Sequence, residues 1–154
     1  MKLVIQRVRS ASVEVNAKTV ANIGVGLLVF VGAAKGDGEH DVNVMAEKVP
    51  VLRIFPDSAG RMNRSLFDVG GELLVVSQFT LLGNTEKGRR PSFDEAALPD
   101  VAHDLYERFV ARLKAQSLHV QTGIFGTDML VTLQNDGPVT FILDSQKGGG
   151  VLSS

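Results

Sequence analysis

The feature of the sequence that most constrains the fold is a continuous apolar run at residues 25–31. A run of this length is typical of a β-strand that is covered on both faces. Residues 2–8, 13–15 and 19–23 are also predicted strands, with a hairpin turn at residues 16–18. The chain therefore requires a layered fold that covers both sides of the strand at residues 25–31.

Two segments carry apolar residues at helical spacing. The first is expected to begin after an N-cap at Asp37 and to stop at Pro50. Its apolar face consists of Val42, Met45, Ala46 and Val49. The second helix is predicted over residues 100–116, and its buried stripe consists of Val101, Leu105, Phe109 and Leu113, with Ala102 and Tyr106 beside it.

The rest of the chain is interpreted mainly as strands separated by turns that are rich in glycine and proline. These predicted strands lie at residues 51–55, 72–82, 118–122, 129–134 and 139–144. Residues 135–138 are interpreted as a hairpin turn between the last two strands. Residues 83–99 are rich in Gly, Arg, Pro, Ser and Asp, which predicts a long functional or mobile loop.

Two helices among many strands predict an α/β domain in which the helices cover one side of a sheet system. A chain of 154 residues buries about 68–70% of its unfolded surface, which suffices for one core without disulfides or a structural metal. We expect one domain at residues 1–145 and a flexible tail at residues 146–154, which contains three consecutive glycines.

The absence of cysteine excludes several kinds of site. It rules out a disulfide scaffold, a thiolate nucleophile, a zinc ribbon and an iron–sulfur cluster. The three histidines, His40, His103 and His119, are not at metal-ligand spacing, so we predict no metal and no cofactor. A chain without cysteine favours a reducing compartment, and no apolar run approaches the ~20 residues that span a bilayer. We therefore expect a cytoplasmic protein with no membrane partner.

Glycine-rich segments at two places do not match nucleotide-binding motifs. Gly24 and Gly26 suggest a dinucleotide turn, but the third glycine of that motif would fall on Val29. Residues 32–36 contain a lysine between glycines but lack the Gly-Lys-Ser/Thr ending of a phosphate loop. The first segment is better explained as the flank of a strand, and the second is not expected to form a phosphate loop.

Two polar features remain as possible functional sites. The apolar strand at residues 72–82 turns polar abruptly in the segment Ser77-Gln78-Phe79-Thr80. The net charge of −1 leaves any binding of nucleic acid to local patches. One such patch, suited to a phosphate contact, consists of Lys87, Arg89 and Arg90.

Several segments together carry a resemblance to a known family. They include Ile5-Gln6-Arg7-Val8, Leu52-Arg53-Ile54-Phe55, Asp68-Val69-Gly70-Gly71, Val75-Val76-Ser77-Gln78-Phe79-Thr80-Leu81, Lys87-Gly88-Arg89-Arg90-Pro91-Ser92-Phe93 and Asn135-Asp136-Gly137-Pro138-Val139-Thr140. On these segments, which run nearly end to end, the chain resembles the D-aminoacyl-tRNA deacylase family. The two signatures of that family, Ser-Gln-Phe-Thr and Gly-Pro-Val-Thr, both stand intact.

The resemblance implies a single-domain three-layer α/β/β sandwich with mixed sheets, which forms a homodimer with its active site at the subunit interface. It also implies that the bond between Gly137 and Pro138 is cis and that this step reaches into the partner's site as a chiral filter. There the carbonyl oxygens of both residues would line the pocket, and Arg7 would hold the loop.

The implied reaction is hydrolysis of the ester that joins a D-amino acid to the terminal adenosine of tRNA, as a proofreading step in translation. The partner is thus the aminoacylated 3′ end of tRNA. The implied catalytic segment consists of Ser77, Gln78, Phe79 and Thr80. Phe125 and Met129 are expected to line the adenosine pocket, next to position 127, where this chain has threonine and the family usually has alanine. The cations Lys87, Arg89 and Arg90 are the expected contacts to tRNA phosphates.

The residues leave two chemical routes open. Thr80 is a possible nucleophile, but a hydroxyl needs a base beside it, and no histidine or carboxylate lies near Thr80 in sequence. In the second route water attacks with help from the neighbouring 2′-hydroxyl of the tRNA, and backbone N–H groups near Phe79 and Thr80 form an oxyanion hole. We also expect cleavage of glycyl-tRNA, because an achiral ester has no side chain for a steric wall to exclude.

Two other functions remain as alternatives. One is an editing domain that removes a mischarged small L-residue, which would normally lack the Gly-Pro step. The other is a non-catalytic module that binds RNA.

Overall fold

The computed structural model describes residues 1–147, which form a six-stranded mixed sheet with helices packed against it and a separate two-stranded sheet of Phe55–Pro56 and Met62–Arg64. The strands are β1 (Lys2–Val15), β2 (Lys18–Ile23), β3 (Gly26–Gly32), β4 (Phe55–Pro56), β5 (Met62–Arg64), β6 (Glu72–Ser77), β7 (Val120–Thr122) and β8 (Leu130–Asp144). The α-helices are α1 (Glu39–Lys48), α2 (Leu66–Val69) and α3 (Pro99–Lys114). Most of the predicted tail, from residue 148 onward, lies outside the described residues.

The main sheet is built around β1. Its strand order is β2-β1-β3-β6-β7, and β8 also pairs with β1. β1 is antiparallel to its three neighbours, whereas β3, β6 and β7 run parallel to one another. Parallel neighbours end at the same edge of the sheet, and Val31 of β3 lies opposite Ser77 of β6. The point at which the sequence turns polar is therefore at this edge.

Apolar side chains form two clusters on opposite faces of β3 and β6. In β3, Val29 belongs to the cluster under the helices, and its neighbour Leu28 belongs to the other; both are fully buried. Helices α1 and α3 cover the first face, and residues of β1 and β2 contribute to the second cluster. The predicted α/β class is confirmed, as is the burial of residues 25–31 on both faces, apart from the exposed Val25 at the start of the run. The homodimer and the number of layers remain predictions.

The helices occur where expected, with two corrections. The N-cap of α1 is Gly38 and not Asp37. The Asp37 carboxylate instead accepts a hydrogen bond from the Ala34 N–H at 2.7 Å and pairs with the buried amine of Met1. Val101 was predicted to be buried, but it is 48% exposed because it lies on the outer side of α3. None of the helices in residues 1–147 is long and apolar enough to cross a membrane.

The bounds of four predicted strands were wrong. A 3₁₀ turn (Val49–Val51) replaces the start of the strand at residues 51–55, of which only Phe55 forms part of β4. β6 ends at Ser77, and a second 3₁₀ turn (Phe79–Leu82) follows. The two strands at residues 129–134 and 139–144 are one strand, β8, because β1 pairs with both halves. Residues 135–138 are therefore not a hairpin turn.

Candidate active site

Within residues 1–147, two backbone N–H groups that follow β6 have no acceptor. The Gln78 N–H donates to the Val31 carbonyl at 2.7 Å, which is the last bond between β3 and β6, and the chain then turns into the 3₁₀ segment. The first N–H groups of such a turn have no acceptor within it. Within residues 1–147 the N–H groups of Phe79 and Thr80 donate no hydrogen bond. They are free to bind an oxygen of a ligand.

A pocket of about 720 Å³ opens beside this turn. Its walls come from the ends of β3 and β6, from residues 93–99, from the first two turns of α3 and from residues 125–131. Five of the residues predicted from the sequence line it: Ser77, Gln78, Phe79, Phe125 and Met129. The structure thus brings the two predicted groups, from distant parts of the chain, to one cavity.

Thr80 lies on the exposed outer side of the turn and is not part of the pocket wall. Its Oγ1 accepts a hydrogen bond from Nε2 of Gln78. Among residues 1–147 no histidine or carboxylate forms a hydrogen bond with the Thr80 hydroxyl, so no general base touches it. Its hydroxyl is positioned by an amide and is not activated by a base.

The predicted phosphate contacts lie outside the pocket. Lys87, Arg89 and Arg90 are exposed on the loop at residues 83–99, which a backbone pairing between Asn84 and Ser92 closes at its base. The loop is irregular, as predicted. These cations are available to a partner that extends beyond the pocket.

The Gly137-Pro138 step lies in a bulge of β8. Gln6 of β1 pairs with Thr140 and Val8 pairs with Asn135, so residues 136–139 lie opposite Arg7 alone. Extra residues in one strand bend it away from its partner. The Gly137-Pro138 peptide bond is cis, and both residues are exposed. Neither residue lines the pocket of its own chain.

Hydrogen bonds brace this bulge at its base. The buried Arg7 guanidinium donates to the Asp136 carbonyl through Nε at 3.0 Å and to the Ile54 carbonyl through Nη1 at 2.7 Å. The Asn135 amide donates to the carbonyls of Arg7 and Val139 at 3.1 and 2.9 Å. Gly137 has a φ of +138°, which is favoured for glycine because it lacks Cβ. The predicted role of Arg7, to hold this loop, agrees with these contacts.

Aromatic rings order the far wall of the pocket. Phe125 stacks on the His103 ring of α3 at a centroid distance of 4.4 Å and also contacts Tyr106 at 5.9 Å. On the near wall, Phe79 meets Phe93 edge to face at 5.0 Å. Aromatic faces of this kind can stack on a nucleic-acid base.

Four polar residues of the pocket wall were not identified from the sequence: Lys35, Asp94, Tyr106 and Asp128. Tyr106 was predicted only as a flank of the buried stripe of α3. Its hydroxyl donates to the Val75 carbonyl at 2.8 Å, and burial raises its pKa to about 12. Lys35 and Asp94 lie in segments that meet only through tertiary contacts, so no local pattern marked them.

The architecture places the chain in a known class of mixed α/β proteins. A solved chain described as "c-Myc DNA Unwinding Element Binding Protein" superposes with a TM-score of 0.88 and 38% identity, over 94% of this chain and 99% of that one. A second, described as a probable eukaryotic D-amino acid tRNA deacylase, has a TM-score of 0.73 over 92% of this chain and 97% of that one. At 21% identity, this second likeness concerns the fold alone.

Sequence relatives define the family within that class. The family model described as D-Tyr-tRNA(Tyr) deacylase matches residues 4–144. A D-aminoacyl-tRNA deacylase of Thermosipho africanus is 56% identical over 96% of this chain and 99% of its own length. A D-aminoacyl-tRNA deacylase of Geobacter sulfurreducens is 57% identical over 95% of this chain and 96% of its own length. The chain belongs to the D-Tyr-tRNA(Tyr) deacylase family.

The buried hydroxyl of Tyr106 offers a test of the pocket wall. The chain has one tyrosine and no tryptophan, so phenolate absorbance in the near ultraviolet reports on Tyr106 alone. In the native protein we expect the phenolate to form near pH 12 and not near the usual pKa of about 10.

The same raised pKa predicts a loss of stability at alkaline pH. The unfolded chain releases the Tyr106 proton near pH 10, whereas the native protein retains it, so the free energy of unfolding falls between about pH 10 and about pH 12. The free energies of unfolding of the wild-type protein and of Tyr106→Phe, measured by denaturant titration from about pH 10 to about pH 12, give the contribution of the Tyr106 hydroxyl by difference. Phenolate absorbance near pH 10 in a protein with native circular dichroism would contradict the assigned burial.

Proposed function

We propose that this chain hydrolyses the ester between a D-amino acid and the 3′-terminal adenosine of tRNA, as a proofreading step in the cytoplasm. The observation that carries the proposal, in a chain of this family, is a pocket whose wall includes Phe79, beside a turn in which the N–H groups of Phe79 and Thr80 have no acceptor within residues 1–147. Ester hydrolysis places negative charge on the carbonyl oxygen in the transition state, and preorganised backbone donors stabilise that charge.

The chain is proposed to act as a three-layer homodimer with the active site at the subunit interface. A twofold axis would let each copy present the same surface to the other. The Gly137-Pro138 bulge is exposed and absent from its own pocket, which supports its entry into the partner's pocket. The outer side of β8 carries exposed apolar side chains at Leu130 and Ile142, with exposed fractions of 64% and 75%, which a second copy would cover.

The bulge is proposed to exclude L-aminoacyl esters by steric contact. D- and L-esters differ in the direction in which the side chain leaves Cα, so a rigid wall on one side rejects the L-form without a specific contact to the D-form. Such exclusion requires that the backbone of the bulge does not move when the side chain of an L-ester contacts it. The hydrogen bonds from Arg7 and Asn135 supply that rigidity by tying the base of the bulge to β1 and to Ile54.

The chemistry is proposed to rely on backbone donors and on the substrate. The N–H groups of Phe79 and Thr80 bind the developing oxyanion, while water attacks with help from the 2′-hydroxyl of the tRNA. Thr80 then positions the turn, since its hydroxyl is paired with the Gln78 amide and no histidine or carboxylate of residues 1–147 forms a hydrogen bond with it. Ser77 and Gln78 shape the strand end or bind the amino group of the substrate.

The terminal adenosine is proposed to bind against Phe125 and Met129. Phe125 is held by its stack on His103, which leaves its ring fixed in the pocket wall. Lys87, Arg89 and Arg90 would contact phosphates further along the tRNA, because their loop lies beyond the pocket.

A comparison of three substrates tests the proposal. With D-tyrosyl-tRNA, L-tyrosyl-tRNA and glycyl-tRNA, we expect hydrolysis of the first and the third, and a rate for the second that is lower by about two orders of magnitude. Release of amino acid is followed on labelled aminoacyl-tRNA. Preferential hydrolysis of a small L-aminoacyl-tRNA would favour an editing domain, and binding without hydrolysis would favour an RNA-binding module. Strict D-specificity with glycine fully rejected would overturn the steric wall.

Kinetics of Thr80→Ala test the chemical route. If the backbone and the substrate hydroxyl perform the chemistry, we expect kcat to fall by less than about 10²-fold, whereas loss of a true nucleophile costs about 10⁴-fold or more. Thr85→Ala, an exposed threonine in the neighbouring loop, is the matched control and should retain full activity. A loss of about 10⁴-fold in Thr80→Ala with native circular dichroism would establish the covalent route instead.

A further inference from the structure

The described residues of the pocket wall include a single basic side chain, that of Lys35. Among the described residues that line the cavity, Lys35 carries the positive charge, while Asp94 and Asp128 carry negative charges. Two carboxylates disfavour a ligand phosphate, because like charges repel in a partly enclosed site. Among the described residues of the pocket wall, Lys35 is therefore the charged side chain that attracts a ligand phosphate.

The backbone holds Lys35 in a fixed place at the end of β3. Its N–H donates to the Glu95 carbonyl at 2.9 Å, and the Ala97 N–H donates to the Ala33 carbonyl at 3.0 Å. The turn that follows is closed by the bond from the Asp37 N–H to the Ala34 carbonyl at 3.1 Å. The base of the Lys35 side chain is thus anchored between two walls of the pocket.

The ammonium group of Lys35 is available to a ligand. The side chain is exposed, and in residues 1–147 it takes part in none of the close contacts with carboxylates. The basic groups in those contacts belong to Met1, Arg7, Arg9, His103, Arg108, Arg112 and His119. A phosphate would not have to displace an internal partner. This distinguishes Lys35 from Arg7, whose guanidinium is committed to two carbonyls.

The position of Lys35 matches the size of a nucleotide. Lys35 lies four residues beyond Val31, which is paired with Ser77 at the reactive end of the pocket. Four extended residues span at most about 13 Å. In a nucleotide, the ribose separates the 3′-ester from the 5′-phosphate. The ribose and the long side chain of Lys35 together are long enough to join Lys35 to the strand end at Val31 and Ser77.

We propose that Lys35 binds the phosphate on the 5′ side of the terminal adenosine, and so orients the nucleotide with its 3′-ester at the free N–H groups of Phe79 and Thr80. This inference rests on the proposed function for the identity of the nucleotide. It assigns Lys35 a role in binding and none in the chemical step.

Equilibrium binding tests the inference without catalysis. The probes are adenosine 5′-monophosphate and adenosine, titrated calorimetrically into the wild-type protein, Lys35→Met and Lys35→Arg. We expect the wild type to bind the monophosphate about five- to tenfold more tightly than adenosine, which is an ordinary gain for a charge-assisted contact. Lys35→Met should lose this preference with unchanged affinity for adenosine, and Lys35→Arg should retain most of it.

Lys114→Met is the matched control. It removes an exposed lysine at the carboxyl end of α3, about 22 Å along the helix from Pro99, and should leave the preference for the monophosphate intact. Equal affinity of the wild type for the two probes, or a preference that survives in Lys35→Met, would overturn the inference. The two proposals can fail separately. If Lys35→Met loses the preference for the monophosphate but the wild type does not hydrolyse D-aminoacyl-tRNA, the proposed function is overturned and the phosphate site at Lys35 stands.

Discussion

The buried guanidinium of Arg7 is the interaction on which the arrangement of the site depends. A buried cation must have its N–H groups paired, and Arg7 meets this demand with two backbone carbonyls from distant segments, Ile54 and Asp136. Because Arg7 lies in the central strand β1, these bonds connect the small β4–β5 sheet and the bulge of β8 to the core. The Gly137-Pro138 step is therefore presented by a braced sheet and not by a loose loop, as a steric filter requires.

The pocket follows from a second constraint, the parallel pairing of β3 with β6. It brings the carboxyl ends of two buried strands to one edge, where Ser77 and Phe79 line the cavity and Thr80 lies in the turn beside it. No histidine lines this cavity within the described residues, and its carboxylates, Asp94 and Asp128, do not form a hydrogen bond with Thr80. The proposed chemistry accordingly uses backbone donors and the substrate, while side chains orient the adenosine.

The sequence predicted what local pattern determines. The apolar run in β3 and the abrupt polar change at Ser77 indicated a doubly covered strand and a site at a strand end; the structure has the covered strand and a pocket at that strand end. Local pattern misread residues 135–138, because Asn, Asp, Gly and Pro signal a turn and only the distant β1 shows that the strand continues. Lys35 and Tyr106 were not identified as pocket residues for the same reason, since tertiary contacts alone bring them to the pocket. The family resemblance supplied residues, such as Phe125, that no periodicity would have indicated.

Mixing two defective protomers tests the central claim most directly. Ala102→Trp would fill the pocket, and Gly137→Ala would distort the bulge, because the added Cβ lies 2.6 Å from Cγ2 of Val139. Ala102→Trp alone should be inactive, whereas Gly137→Ala alone should hydrolyse both D- and L-tyrosyl-tRNA, because its distorted wall no longer excludes the L-ester. In a random equal mixture, about half of the open pockets receive an intact bulge from an Ala102→Trp protomer, so the ratio of L- to D-tyrosyl-tRNA hydrolysis should fall to about half of its value for Gly137→Ala alone. An unchanged ratio, with mixed dimers detected by native mass spectrometry, would contradict a site shared between two copies.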